Sequence, residues 1–87
     1  MWYQKYINQD PAIMVGKPVI KGTRIPVELI LAHLAHNTNL NELFAAYPHI
    51  TIKDVQACIA YGQAAVQEQY KKRRSHDEQD KNARISS

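Results

Sequence analysis

The sequence predicts a mainly α-helical domain of three helices with a short β segment or hairpin at its N-terminus. Two observations predict this class. Apolar residues have a spacing of about two before Val27 and of about three and a half after it, which is the change from strand to helix periodicity. The chain has 87 residues, enough for one small core. We therefore expect one domain at 1–70 and a polar, mobile tail at 71–87.

The N-terminal segment is rich in aromatic residues. Trp2, Tyr3, Tyr6 and Ile7 alternate loosely until turn-forming residues begin at Asn8, which is typical of a short strand. Exposed aromatic side chains at a terminus favour a dimer contact, because they supply much of the burial energy at interfaces. Covering one side of a small core is an equally good explanation, and the sequence leaves both open.

The segment GKPVIKGTRIPV, at 16–27, is predicted to fold back on itself as a short hairpin. Lys21 and Gly22 form the turn, and Gly22 supplies the positive φ that a tight turn requires. The apolar residues that flank this turn are Val19, Ile20, Ile25 and Val27. An apolar hairpin has an unpaired β edge, which a second copy could cover. We therefore expect a homodimer formed by Trp2, Tyr3, Tyr6, Val19 and Ile20.

Basic side chains surround the predicted turn, at Lys17, Lys21 and Arg24. They are candidates for contacts with DNA phosphates or with a protein partner. The alternative is that they are solvated charges that protect a small sheet edge from aggregation, and spacing alone slightly favours it. For Arg24 we expect a structural role, holding the hairpin to a helix through one of the carboxylates at Glu28, Glu42 and Asp54.

The first two helices are predicted at 27–36 and 39–47. Pro26 starts the first, and Asn37 ends it because asparagine tolerates the left-handed conformation that closes a helix. Asn39 and Glu42 have the spacing of a capping box at the start of the second. Pro48 ends that helix, since the residue before a proline is pushed out of helical geometry.

The third and longest helix is predicted to start at Thr51, with Asp54 in its first turn, and to cover 51–62 before it frays beyond Tyr70. Gly62 is interpreted as a position where another backbone comes close, or else as a simple weak point. The residues assigned to its core stripe are Ile52, Val55, Ile59, Gly62 and Val66.

The second and third helices have the dimensions of a helix-turn-helix unit. In such a unit the start of the third helix would face the major groove of DNA, and its polar residues Thr51, Lys53 and Gln56 could hold phosphates or read base edges. Three short amphipathic helices also describe many modules that never touch DNA. The motif is therefore a weak indication of DNA binding.

Composition narrows the remaining classes of function. A net charge of +3 and a pI near 9.1 permit nucleic-acid contact without demonstrating it. Cys58 is the single cysteine, which excludes a disulfide scaffold and fits a reducing cytoplasm. No apolar run is long enough for a membrane span or a signal peptide. His33 and His36 lack the spacing of a metal site, and no nucleophile has an evident base, so we expect no metal, no cofactor and no enzyme.

The order of these motifs resembles the domain-of-unknown-function 433 family of small prokaryotic proteins. The resemblance covers about 8–64 and rests on GKPVIKGTRIPV, VELILAHLAHN, NELFAAYP and TIKDVQACIAYG. Asn37 stands where the family tends to have glycine, and Gly62 stands where alanine is usual. The resemblance implies a homeodomain-like three-helix fold and a role like that of VapB-type antitoxins, often beside a PIN-like nuclease toxin.

Two functions of different classes follow. The first is an antitoxin of a type II toxin–antitoxin pair that binds operator DNA, represses its own operon and neutralises the nuclease. The second is a protein-binding dimer module without DNA affinity. The feature that separates them is whether the basic residues of the hairpin share a face with the polar residues at the start of the third helix.

Overall fold

The computed structural model describes residues 1–12 and 14–76, and these form a mainly helical domain with a two-stranded antiparallel sheet. The predicted fold class is therefore confirmed. The three main helices are α1 (Val27–His36), α2 (Leu40–Ala46) and α3 (Ile52–His76), preceded by a 3₁₀ helix at Trp2–Tyr6, strand β1 (Ile7–Asn8), a 3₁₀ turn at Met14–Gly16 and strand β2 (Val19–Ile20).

The aromatic N-terminus is a 3₁₀ helix, so the predicted strand is wrong except at Ile7, and the observed strand extends to Asn8, where a break was expected. The rings of Trp2 and Tyr6 lie 5.9 Å apart, centre to centre, and in an extended strand the same residues would be about 13 Å apart along the chain. The coiled segment also places Tyr3 edge-on to Tyr61 of α3, with 6.2 Å between the ring centres. Packing on α3 thus overrides the strand preference of the aromatic residues.

The chain folds back after β2 as predicted. Gly22 has a φ of +81°, and the amide of Ile20 donates a hydrogen bond to the carbonyl of Ile25 at 2.9 Å. The ladder partner of β2 is nevertheless β1, with Ile7 opposite Ile20. Patterns within 16–27 do not predict this pairing, because the partner strand lies earlier in the chain.

The core lies where β2 and the three helices meet. Apolar side chains fill it, and no polar or charged residue is buried among those whose burial the structure describes. The buried members of this cluster are Ile20, Val27, Ile30, Leu43, Ile50, Val55 and Cys58. With so few residues in one core, each contributes a large share of the stability.

The ends of α1 and α2 lie close to the predicted positions, but one predicted mechanism is wrong. Asn37 follows α1 in an extended conformation, with a φ of −152°, and not in the left-handed region. Its side chain instead accepts a hydrogen bond from the amide of Asn39 at 2.9 Å and donates one to Glu42 at 2.6 Å. Asn39 caps α2 by accepting from the amides of Asn41 and Glu42. The predicted cap of α2 by Asn39 is therefore confirmed. The carboxylate of Glu42, however, accepts its hydrogen bond from the side chain of Asn37.

The start of α3 has the predicted cap. The amide of Thr51 donates to Oδ2 of Asp54 at 2.9 Å, and the amide of Asp54 donates to Oγ1 of Thr51 at 3.2 Å. This reciprocal pair satisfies donors that a helix start leaves open. It fixes the position at which α3 begins.

The predicted core stripe of α3 is confirmed at Val55, which is 2% exposed, and is wrong at three other positions. Its large residues point outward: Ile52 is 48% exposed, Ile59 50% and Val66 68%. The side chains that α3 buries are Val55, Ala57 and Cys58. Hydrophobicity alone favours the large apolar residues for the core, but the helix is surrounded closely enough that small residues fit better on its inner side.

Gly62 is a position of close approach, as one interpretation predicted, but the neighbour is a side chain. A Cβ atom at this position would lie 2.9 Å from Cδ1 of Leu31 in α1. The helix then continues to His76, so residues 71–76 of the predicted tail are helical. Residues 77–87 lie outside the described part of the chain.

Candidate binding surfaces on the third helix

The predicted DNA-contacting residues at the start of α3 are all exposed. The hydroxyl of Thr51 is engaged in the helix cap. Nζ of Lys53 lies 5.6 Å from the centre of the Trp2 ring, a cation–π arrangement worth about 0.5–1 kcal/mol at an exposed site. Gln56 makes no hydrogen bond within the described residues. Lys53 and Gln56 are therefore available to a ligand at little cost.

Asp54 places a negative charge at the start of α3. Its carboxylate accepts the amide of Thr51, and a negative charge in the first turn suits the helix dipole. The same charge opposes the approach of a phosphate to the amides at the helix start. Positive charge here comes from Lys53, so a nucleic-acid contact would depend on side chains and not on the helix terminus.

The basic residues near the turn fall into two kinds. Nζ of Lys17 lies 3.5 Å from the carboxylate of Glu28, and both side chains are more than half exposed, so the pair adds little to stability. Lys21 and Arg24 are exposed, and neither side chain has an ion-pair or hydrogen-bond partner among the described residues. These two are the unengaged cations of the hairpin.

The structural role expected of Arg24 is wrong. Each of the three carboxylates that it was expected to bind has another partner: Glu28 pairs with Lys17, Glu42 with Asn37 and Asp54 with the amide of Thr51. The turn is closed without Arg24, because Oγ1 of Thr23 donates to the carbonyl of Ile20 at 2.7 Å and accepts the amide of Ile25 at 3.0 Å.

All six residues predicted to contact DNA are thus exposed, but they form two groups, one at the hairpin turn and one at the start of α3. Within the described part of the chain, no hydrogen bond or ion pair joins the two groups. The members are Lys17, Lys21 and Arg24 at the turn and Thr51, Lys53 and Gln56 on the helix.

Most of the predicted dimer contacts are not available to a partner. Tyr3 is 8% exposed, Val19 0% and Ile20 1%, because β1 pairs with β2 and the helices cover the sheet. Only Trp2, at 49% exposed, and the partly exposed Tyr6 remain at the surface. The expected interface through the hairpin is therefore wrong.

The outward face of α3 is a surface that the sequence analysis missed. We call it the outer seam, and its six positions follow one another at intervals of four and three residues. All six side chains are exposed and none is charged. The sequence did contain the signal, because Ile52, Ile59 and Val66 repeat every seven residues, but they were assigned to the core. The outer seam consists of Ile52, Gln56, Ile59, Gln63, Val66 and Tyr70.

Cys58 and His33 are titratable side chains that lie inside the domain. Burial, together with the nearby charge of Asp54, raises the pKa of the Cys58 thiol to about 12, so it stays protonated and is not a nucleophile. Nε2 of His33 is buried without a hydrogen-bond partner, and its ring lies edge-on to Tyr47 at 6.2 Å. In the described part of the chain, no group of three histidine, cysteine or acidic side chains is placed to hold a metal ion.

None of the helices in the described residues combines the length and the hydrophobicity needed to cross a bilayer.

Comparisons with known proteins place the chain in a family. Residues 7–62 match the family model described as "Protein of unknown function (DUF433)". The chain is 26% identical over 61 residues to the uncharacterized protein y4eO of Sinorhizobium fredii (strain NBRC 101917 / NGR234), which covers 70% of this chain and 28% of y4eO. The chain thus spans less than a third of the length of y4eO. No solved structure matches the chain. Because the family model covers well over half of the chain, the protein belongs to the DUF433 family.

Proposed function

We propose that this protein is an antitoxin-like regulator of a type II toxin–antitoxin pair. It has no catalytic activity of its own, works in the cytoplasm, binds operator DNA as an autorepressor and neutralises a PIN-like nuclease. The antitoxin role rests on what the resemblance to the DUF433 family implies, which is a role like that of VapB-type antitoxins. The DNA-binding role has a physical basis in α2 and α3.

The observation that carries the proposal is the junction of α2 and α3. Only residues 47–51 separate the two helices, and the amide of Ile50 donates to the carbonyl of Tyr47 at 3.2 Å across the turn. The reciprocal cap between Thr51 and Asp54 then fixes the first turn of α3. A short rigid turn that leaves the start of the second helix exposed is the arrangement of a helix-turn-helix unit.

The exposed side chains of α3 and of the hairpin can make different kinds of contact with DNA. Lys53 can bind a phosphate or a guanine edge, and the amide of Gln56 can pair with an adenine. Lys21 and Arg24 provide charge without sequence preference, which makes affinity depend on salt. The proposal therefore expects sequence preference to depend on α3 and general affinity to depend on the hairpin.

A second candidate is a protein-binding dimer module without DNA affinity. The uncharged outer seam favours it, since a DNA-binding face normally carries positive charge. The antitoxin proposal contains a protein interface as well, so the two candidates differ only in whether DNA is bound.

The DNA-binding role is tested with the duplex upstream of the protein's own gene. Fluorescence anisotropy at two salt concentrations would compare the wild type with Lys53→Ala and with the matched control Lys71→Ala, which removes the same side chain further along α3. We expect Lys53→Ala to weaken binding about tenfold and Lys71→Ala to change it less than about twofold. No specific binding by the wild type, or equal losses in both variants, would contradict this role.

The antitoxin role needs a separate measurement. The product of the adjacent gene is co-expressed with the chain, purified and assayed for nuclease activity with and without it. The proposal expects a stable complex and loss of the nuclease activity. An active nuclease in the presence of excess chain would contradict the antitoxin role and leave the result on DNA binding unchanged.

A further inference from the structure

The outer seam has an unusual composition for an exposed helix face. Ile52, Ile59 and Val66 expose about half of their area or more, and the positions between them are occupied by Gln56 and Gln63. The outward side of a surface helix normally carries charged residues. No seam position has a charge over the length of α3 from Ile52 to Tyr70.

The spacing of the seam indicates a helical partner. Its intervals of four, three, four, three and four residues have a mean of 3.6, so the six positions form one straight stripe along α3, and Ile52, Ile59 and Val66 repeat every seven residues, as one position of a coiled-coil heptad does. The apolar residues Ile52, Ile59 and Val66 occupy one heptad position, and Gln56, Gln63 and Tyr70 occupy the other. This pattern keeps a straight seam in contact with a second helix.

The C-terminal half of α3 has little support within its own chain. The side chains of residues 65–71 are all exposed, although the helix continues through them to His76. Isolated helices shorter than about 12–15 residues are marginal in water. A partner helix along the seam would cover both the N-terminal and the C-terminal half of α3.

We propose that the outer seam binds the outer seam of a second copy of this chain, with the two α3 helices parallel and in register. In this arrangement Ile52, Ile59 and Val66 each meet their own counterparts. The amides of Gln56 and Gln63 meet amides, to which they can donate and from which they can accept hydrogen bonds. An antiparallel pair would place each apolar residue opposite an amide or a tyrosine, at the cost of burying polar groups against apolar ones.

Charge on the flanks of the seam favours a second copy over a charged partner. The positions on either side of the seam are Lys53, Ala60 and Gln67 on one side and Val55, Gly62 and Gln69 on the other. Lys53 carries the only charge among these six, so two copies meet without opposing like charges. An acidic or basic partner would find almost nothing to pair with.

The area of the outer seam determines how strongly two copies are expected to bind each other. From Ile52 to Tyr70 the face is about 28 Å long and 10 Å wide, a footprint of about 300 Å², whereas a standard interface buries about 800 Å² per partner. We therefore expect a weak dimer that forms in the micromolar range and above. Pairing does not depend on the proposed DNA binding, but it withdraws Gln56 from DNA and leaves Lys53 of both copies at the same end.

Sedimentation velocity over a range from low micromolar to submillimolar concentration tests the pairing. The wild type should shift from monomer to dimer, and Ile59→Lys should stay monomeric with an unchanged helical signal in circular dichroism. The matched control is Leu29→Lys, since Leu29 is an apolar residue of α1 that is 44% exposed and lies off the seam. A wild type that stays monomeric, or a control that loses the dimer equally, would overturn the proposal.

Disulfide trapping tests the orientation. Val66→Cys is introduced together with Cys58→Ala, so that the new thiol is the only one in the chain. In a parallel pair the two new thiols face each other, and mild oxidation should give a covalent dimer at a concentration where the wild type is dimeric. A dimer that persists in sedimentation but does not cross-link through this thiol would overturn the parallel register.

Discussion

The two faces of α3 use the same residue types for opposite purposes. Val55 is 2% exposed and belongs to the core, while Val66 on the same helix is 68% exposed on the outer seam. The inner face consists mainly of smaller residues, Val55, Ala57, Cys58 and Gly62, because α1 and the N-terminal 3₁₀ helix come close to it. The outer face has isoleucines. Hydrophobicity alone therefore does not distinguish the two faces, and the neighbours that pack on the inner face decide which residues are buried.

The largest effect is expected from truncating the same residue type on each face. Val55→Ala removes two buried methyl groups and leaves a cavity, so the free energy of unfolding should fall by about 2 kcal/mol. Val66→Ala, measured in dilute solution where the chain is monomeric, should change it by less than about 0.5 kcal/mol. Urea denaturation of both variants measures the difference. Equal losses would mean that the two faces do not differ as described.

Local rules predicted the starts of the helices well. Asn39 caps α2, and Thr51 with Asp54 caps α3, each through contacts within a few residues, while α1 begins directly after Pro26 without a side-chain cap. Such contacts can be inferred from spacing alone. The 3₁₀ helix at Trp2–Tyr6 could not be, because the burial of Tyr3 against Tyr61 joins distant parts of the chain.

The candidate surfaces were predicted less well than the fold. Exposure of Lys53 and Gln56 follows from their polarity, so their position agrees with expectation. Arg24 was expected to pair, but local contacts had already engaged every carboxylate considered for it. The hairpin was expected to offer a dimer edge, yet Val19 and Ile20 are buried because β1 covers that edge. The hairpin was thus missed because of a pairing between separate segments, whereas Arg24 was missed because of local contacts.

A smaller effect concerns the pH dependence of the inner face. The folded chain raises the pKa of Cys58 from 9.0 to about 12, chiefly by burial. The unfolded chain therefore releases this proton first, so the stabilisation is complete below pH 9 and is lost progressively as the pH rises towards 12. Cys58→Ala should lose less stability than the wild type between about pH 8 and pH 10, as measured by urea denaturation. Parallel losses in both proteins would assign the pH dependence to other groups.

Hydrogen exchange of the α3 amides at two protein concentrations tests the difference between the faces most directly. Amides at 57–64, where the same helix also packs on the core, should already be protected at low micromolar concentration and should gain less at submillimolar concentration. Amides at 65–71, where every side chain is exposed, should gain protection at the higher concentration in the wild type and not in Ile59→Lys. The account predicts this divergence within one helix. Protection of 65–71 that is independent of concentration, or that rises equally in Ile59→Lys, would contradict it.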